Sequence, residues 1–239
     1  MSLYTALLFF SILIPFILSF DKKVSFYRIW KSLLPSSVIV GAIYIAFDIL
    51  FVKKGIWGFN PEYHSGIIIL GLPAEEWLFF ILIPYSCIFI HYVYISYFPA
   101  LKLSRRFVII FSVTLILILL IVIFLNSDKA YTLFNFSLLI LALLWAMASK
   151  SDILPRYYLT FLIILVPFFI INSILTGTFI ESEAVWYNNS ETLGIRLGTV
   201  PVEDIGYAFS LILLNLLFIS EFQKYFFRRN KYVNYGIIT

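Results

Sequence analysis

Charge is scarce in this 239-residue chain, where only 13% of residues are Asp, Glu, Lys or Arg. That is about half the share of soluble domains. Cysteine is scarcer still. The single Cys87 excludes a disulfide within the chain, and its apolar surroundings mark it as a buried, inert thiol. The two histidines, His64 and His91, have no cysteine partners, so no zinc pattern exists and no metal is expected. P-loop and Gly-rich dinucleotide fingerprints are both lacking, so no phosphate cradle and no nucleotide cofactor are expected. No Asp-rich run of the kind that holds magnesium and diphosphate occurs, which argues against a membrane prenyltransferase. Ser2 to Phe20 lacks a basic leader and a small-residue cleavage site, so no cleavable signal peptide is expected.

Apolar residues are what the chain has in excess. They make up 62%, aromatics alone 20%, with 26 Phe and 16 Tyr, and the mean hydropathy is +0.99. This is the composition of a multi-pass membrane protein. The rings suit interfacial belts and core packing, and equally a lining for an apolar, π-rich ligand. Apolar runs of spanning length appear at 2–20, 33–51, 71–95, 106–125, 131–148, 155–175 and 201–221. Pro15, Pro35, Pro84 and Pro167 fall within or near them, which transmembrane helices tolerate when neighbours satisfy the freed carbonyls.

The basic residues set the expected orientation. With the N-terminus outside, the inner segments 21–32, 99–106, 149–156 and the C-terminal tail hold 4, 3, 2 and 4 of the 17 Lys and Arg. Only Lys53, Lys54, Lys129 and Arg196 fall outside. The positive-inside rule then predicts an all-α integral membrane protein of seven helices in the cell membrane, N-terminus out and C-terminus cytoplasmic. The net charge of +4 belongs to this asymmetry and is no nucleic-acid footprint.

Two stretches repeat each other at an offset of 128 residues. Phe59-Asn60, Gly66 and Pro73-Ala74-Glu75-Glu76 match Tyr187-Asn188, Gly194 and Pro201-Val202-Glu203-Asp204. The offset spans four helices, so the two acid-bearing helices run parallel and enter from one side. The spacing predicts a first repeat over 1–98, a connector helix over 99–128 and a second repeat with the basic tail over 129–239.

One Pro-x-Glu-acid alone reads as an ordinary helix start, since proline is preorganised there and acids complement the helix dipole. Two copies at the mouths of apolar spans point to function, because charge in a bilayer is costly. Two carboxyls held together out of water do not both ionise easily, and the one that keeps its proton is a Brønsted acid. The expected arrangement brings one acid from each half to a common midline: Glu75 with Glu203 first, Glu76 and Asp204 as partners. Adjacent helix positions point about 100° apart, so Glu75 aligns with Phe79 and Glu203 with Tyr207. Asn60 and Asn188 either bond these carboxyls or cap their own loops. Asp48 is a further acid within a span, with Asn172 as its approximate counterpart. Arg196 either pairs with Asp204 or Glu203 or snorkels to the interface. The sequence leaves the third helix free to start near Ile67 or at Pro73.

These residues resemble the membrane-integral lycopene cyclase domain family, in its fused two-repeat form. Phe47-Asp48, Gly55-Ile56-Trp57-x-Phe59-Asn60, Gly66 and Pro73-Ala74-Glu75-Glu76-Trp77-Leu78-Phe79-Phe80 carry the likeness in the first half. Gly194-Ile195-Arg196 and Pro201-Val202-Glu203-Asp204 carry it in the second, where Ile205-Gly206 replaces Trp-Leu. The resemblance implies ring closure of lycopene or a similar linear carotenoid, without net redox change and without a cofactor. Its acid motif maps onto Glu75, Glu76, Glu203 and Asp204. Asp48, Trp57, Asn60, Trp77, Phe79, Phe80, Asn188, Arg196 and Tyr207 would bind or support the substrate, the rings stabilising a carbocation through their π faces. It implies a protein at work in membrane lipid, with no nucleic-acid partner and in association with other carotenoid enzymes. A cyclase of C50 carotenoids is an alternative within the family, and a proton-coupled transporter the alternative outside it.

Overall fold

Every apolar run becomes a helix. The computed structural model describes residues 1–149 and 151–229; residues 230–239, the end of the expected basic tail, lie outside the described residues, as does Lys150. The described helices are α1 (Leu3–Leu18), α2 (Trp30–Lys53), α3 (Ala74–Tyr97), α4 (Arg105–Leu125), α5 (Ala130–Ala148), α6 (Ile153–Leu175) and α7 (Glu203–Arg229). Six of these, α2 to α7, are long and apolar enough to cross a membrane. The shorter α1 has 16 residues, about 24 Å at 1.5 Å per residue.

Local chemistry explains the ends and the bends. Ser2 caps α1 by accepting from the Thr5 amide at 3.1 Å, and Ser104 caps α4 by accepting from Phe107 at 3.3 Å. Pro15 removes the donor that would serve the Ser11 carbonyl four residues back, and Ser86 of α3 donates its Oγ to that carbonyl at 2.9 Å. Asn215 in the middle of α7 accepts from Ser36 at 2.9 Å and Ser37 at 3.3 Å, pinning α2 to α7. Such interhelical bonds matter because burial of apolar surface drives little association in lipid. The central helix is α7, with 67% of its spanning window buried, whereas α4 lies at the rim with 22%.

Short strands close one end of the bundle: β1 (Trp57–Phe59), β2 (Ile68–Ile69), β3 (Leu72–Pro73), β4 (Val185–Tyr187), β5 (Arg196–Leu197) and β6 (Val200–Pro201). β2 and β3 form one hairpin, β5 and β6 another at the same spacing. Leu70 and Gly71 sit at φ +52° and +89° at the first tip, the left-handed conformations a two-residue hairpin demands. The hairpin settles the start of α3, which begins at Ala74 and leaves 66–73 outside the helix.

β1 and β4 pair antiparallel, with Trp57 opposite Tyr187, Gly58 opposite Trp186 and Phe59 opposite Val185. Beyond them the Asn60 amide donates to Ala184 at 2.9 Å and the Asn188 amide donates to Ile56 at 2.8 Å. Each bond is the other shifted by 128 residues with the strands exchanged. The hairpin closures match in the same way, Ala74 donating to Ile67 and Val202 to Ile195. Gly58 tolerates no side chain, since a Cβ there would stand 2.6 Å from the Trp186 ring.

Candidate functional site

The two Pro-x-Glu-acid motifs split into two jobs. Glu75 and Glu203 turn back to their own loops and to α1 and α5. Glu75 Oε1 accepts from the Ser65 amide at 2.6 Å and from Thr5 at 2.8 Å; Ser65 Oγ reaches Oε2 at 3.1 Å. Glu203 Oε1 accepts from the Leu193 amide at 2.6 Å and from Thr132 at 2.7 Å. Glu76 and Asp204 instead face a shared cavity. Tyr4 donates to Glu76 Oε2, Tyr131 donates to Asp204 Oδ1 at 2.7 Å, and Tyr187 donates to Asp204 Oδ2 at 3.0 Å. Burial and the adjacent Asp204 push the Tyr187 hydroxyl well above the usual phenol range, so it stays a donor.

The cavity measures about 530 Å³, within the usual range for small-molecule sites. Its walls come from α1, α3, α6 and α7, and β1 and β4 roof it with Trp57 and Tyr187. Glu76 and Asp204 stand at the roofed end, and the wall runs down α3 as far as Ile90. Those fourteen steps of helix rise about 21 Å, so the space is long, apolar and acidic at one end only. Among the described residues, no lysine or arginine lines it. Phe10 and Ile14 of α1 and Ile170 of α6 line it while being 63%, 63% and 59% exposed, so it opens sideways between those two helices.

The other expected residues divide between the wall and the packing behind it. Phe79 and Tyr207 line the cavity, as does Trp57, whose Nε1 is buried without a partner. Trp57 stacks on Tyr187 with ring centroids 6.1 Å apart. Asp48 is fully buried behind Tyr207, which donates to its Oδ2 at 3.2 Å, while Oδ1 has no partner. Phe80 is off the wall, packed between Tyr44 and Tyr207. Trp77 is off it too, its Nε1 donating to the Ile69 carbonyl at 3.2 Å.

One expectation needs correcting, and two alternatives that the sequence left open now have an answer. Glu75 and Glu203 do not meet as the first pair, because amides and hydroxyls of their own halves hold them. Asn60 and Asn188 cap loops, their Oδ1 atoms accepting from the amides of Glu62 and Ser190 at 3.1 Å each. Arg196 pairs with neither acid. Its guanidinium donates to the Thr199 carbonyl at 2.7 Å and to Asn189 at 3.1 Å, and lies 4.0 Å from Glu183.

Tyr4, Thr5, Tyr131 and Thr132 were not singled out from the sequence. The signal was there, a Tyr-Thr pair repeated at an offset of 127 residues, one short of the acid offset.

A family model described as lycopene cyclase matches residues 1–94 and 128–222. The chain belongs to the lycopene cyclase family. No curated protein and no solved structure matched. In this chain the matched segments each bring one tyrosine–acid pair to the cavity, Tyr4 with Glu76 and Tyr131 with Asp204. The stretch between them contains α4, which places no residue on the wall. Membership supports an enzyme of carotenoid cyclisation with a linear carotenoid as substrate class. Six long apolar helices make it a multi-pass membrane protein.

Proposed function

We propose that this enzyme is a lycopene β-cyclase that closes one end of its substrate at a time at Glu76 and Asp204. The observation that carries the reading is a long hydrocarbon-lined cavity with two tyrosine-bonded carboxyls at one end and an opening toward the lipid. An all-hydrocarbon substrate dissolves in the bilayer, and a sideways opening between α1 and α6 admits it without passage through water. Its tail then lies along α3 with its terminal double bond under Trp57 and Tyr187.

The chemistry asks little else of the protein. One carboxylic acid protonates the terminal 1,2 double bond. The electrons of the 5,6 double bond attack the resulting cation and close the ring, moving the positive charge to C5. A carboxylate removes a proton from C6, leaving the β-ionone double bond and restoring the acid. One proton enters and one leaves, so the product is an isomer and no redox partner is needed. Glu76 and Asp204 share the acid and base roles. Tyr207 and Phe79 face the cation with their rings, and a desolvated cation over an aromatic face gains about 2 kcal/mol. Tyr207 also ties Asp48 to the acid set. Glu75 and Glu203 are positioning residues that fix the loop-to-helix junctions on which the acids stand. The two matched segments are repeats joined by α4 as connector, with the acid end outside and the basic end cytoplasmic.

Expression in a lycopene-accumulating bacterium tests the reading by pigment chromatography. Lycopene should convert to a product with β-ionone ends. Unchanged lycopene beside membrane-inserted protein would overturn it, and ε- or γ-type rings would overturn the ring assignment alone.

A further inference from the structure

We propose that a second cavity, at the end of the bundle opposite the acids, binds the phosphate of an anionic phospholipid through Arg156. This cavity of about 320 Å³ lies between the end of α3, the start of α6 and the late turns of α7. Tyr92, Arg156 and Gln223 line it together with the apolar Ile95, Leu216 and Ile219. It shares no residue with the acid-lined cavity.

Arg156 is what asks for a ligand. Its Nη1 is sealed from solvent and has no hydrogen-bond partner. A guanidinium has five N–H donors and no acceptor, and a buried donor of a charged group left unmade is expensive. Asp152, the acid on the wall, takes its hydrogen bond from Lys102, which donates to Oδ2 at 2.5 Å; Lys102 first, with the charges of Arg156 and Arg105 behind it, holds the carboxyl below the usual carboxylate range. Arg156 acts on Asp152 through charge alone, and its Nη1 has no hydrogen bond to any group of the wall, which leaves that donor for an acceptor from outside.

Position selects the kind of acceptor. His91, on this wall, is fifteen residues along α3 from Glu76, about 22 Å down the helix axis. That is where α3 ends, α6 begins and the basic segments 21–32 and 99–106 gather, the level of a lipid headgroup. Basic pockets between helices at this depth hold anionic headgroups, with the apolar wall beside the first carbons of the acyl chains. A planar guanidinium matches two phosphate oxygens at once.

Native mass spectrometry of the purified full chain with phosphatidylglycerol and phosphatidylcholine tests this. One phosphatidylglycerol should stay bound where phosphatidylcholine does not. Arg156→Gln should weaken its binding roughly tenfold, and Arg156→Lys, which keeps the charge but loses the two-oxygen fork, should fall between the native chain and Arg156→Gln. Equal retention of both lipids, or unaltered binding in Arg156→Gln, would overturn the proposal. So would inorganic phosphate alone raising Tm as much as the lipid, which would make this a site for a free anion. Binding seen only after truncation beyond Arg229 would overturn it as well, by showing that the chain's own terminus occupies the cavity.

Discussion

The open cavity and the matching groove on the other side of the bundle are built from equivalent helices, yet one is hollow and the other full. The cavity lies beside α1 and α6; its counterpart lies beside α5 and α2. Aligning Tyr4 with Tyr131 sets Leu7 opposite Phe134, and aligning Asp48 with Asn172 sets Phe168, Ile171 and Leu175 opposite Tyr44, Phe47 and Phe51. Leu7, Phe168, Ile171 and Leu175 all line the cavity. Their counterparts pack on one another: Phe134 lies 4.2 Å from Phe47, 5.3 Å from Phe51 and 6.0 Å from Tyr44, centroid to centroid. Four larger or tightly stacked rings thus replace the space that smaller or splayed side chains leave open. On the proposed reading of two repeats, one site remains because aromatic volume fills its counterpart.

The largest effect should come from making the open side resemble the filled one. Leu7→Phe puts the plug ring into the cavity and should cut pigment conversion by roughly tenfold or more. Overpacking should cost stability only about 1–3 kcal/mol, read as a Tm shift of the purified protein. Normal conversion by a well-folded Leu7→Phe would break the comparison. Next, the proposed single site would handle the two substrate ends in separate visits. A time course should show a monocyclic pigment rising before the dicyclic one, and unlabelled lycopene added midway should divert labelled monocycle from completion. Simultaneous closure would mean that the second groove also works. The smallest effect on activity belongs to the reverse change. Phe134→Leu opens space where no substrate goes, so conversion should stay within about twofold. Stability should nonetheless fall by about 1–3 kcal/mol, the usual range for shrinking a packed side chain.

Much of the fold was legible because lipid imposes simple rules. Apolar runs became helices within a few residues of their expected ends, except that α7 runs on from the expected 221 to Arg229, and the motif offset reappeared in the strand register and hairpin closures. The start of α3 was not legible, since Ile67 to Leu72 is as apolar as a helix and only the left-handed turn at Leu70 and Gly71 separates them. The division of labour within Glu75-Glu76 and Glu203-Asp204 was not legible either. Neighbouring positions on a helix point about 100° apart, and which one faces the cavity depends on how α1 and α5 dock. Those helices declare themselves through Tyr4-Thr5 and Tyr131-Thr132: each threonine takes the first acid and each tyrosine the second. Arg196 looked placed to quench the acids, but carbonyl and amide oxygens within its own loop hold it.

The most direct test compares four variants side by side in lycopene-accumulating cells: Glu76→Gln, Asp204→Asn, Glu75→Gln and Glu203→Gln. General acid–base groups contribute about 10²–10⁴-fold, so the first two should leave lycopene essentially unconverted while remaining in the membrane. The other two should still cyclise it, with a lowered Tm from the lost loop bonds. The reverse pattern, cyclisation by Glu76→Gln and Asp204→Asn with none by well-folded Glu75→Gln and Glu203→Gln, would contradict the assignment of the cavity-facing pair.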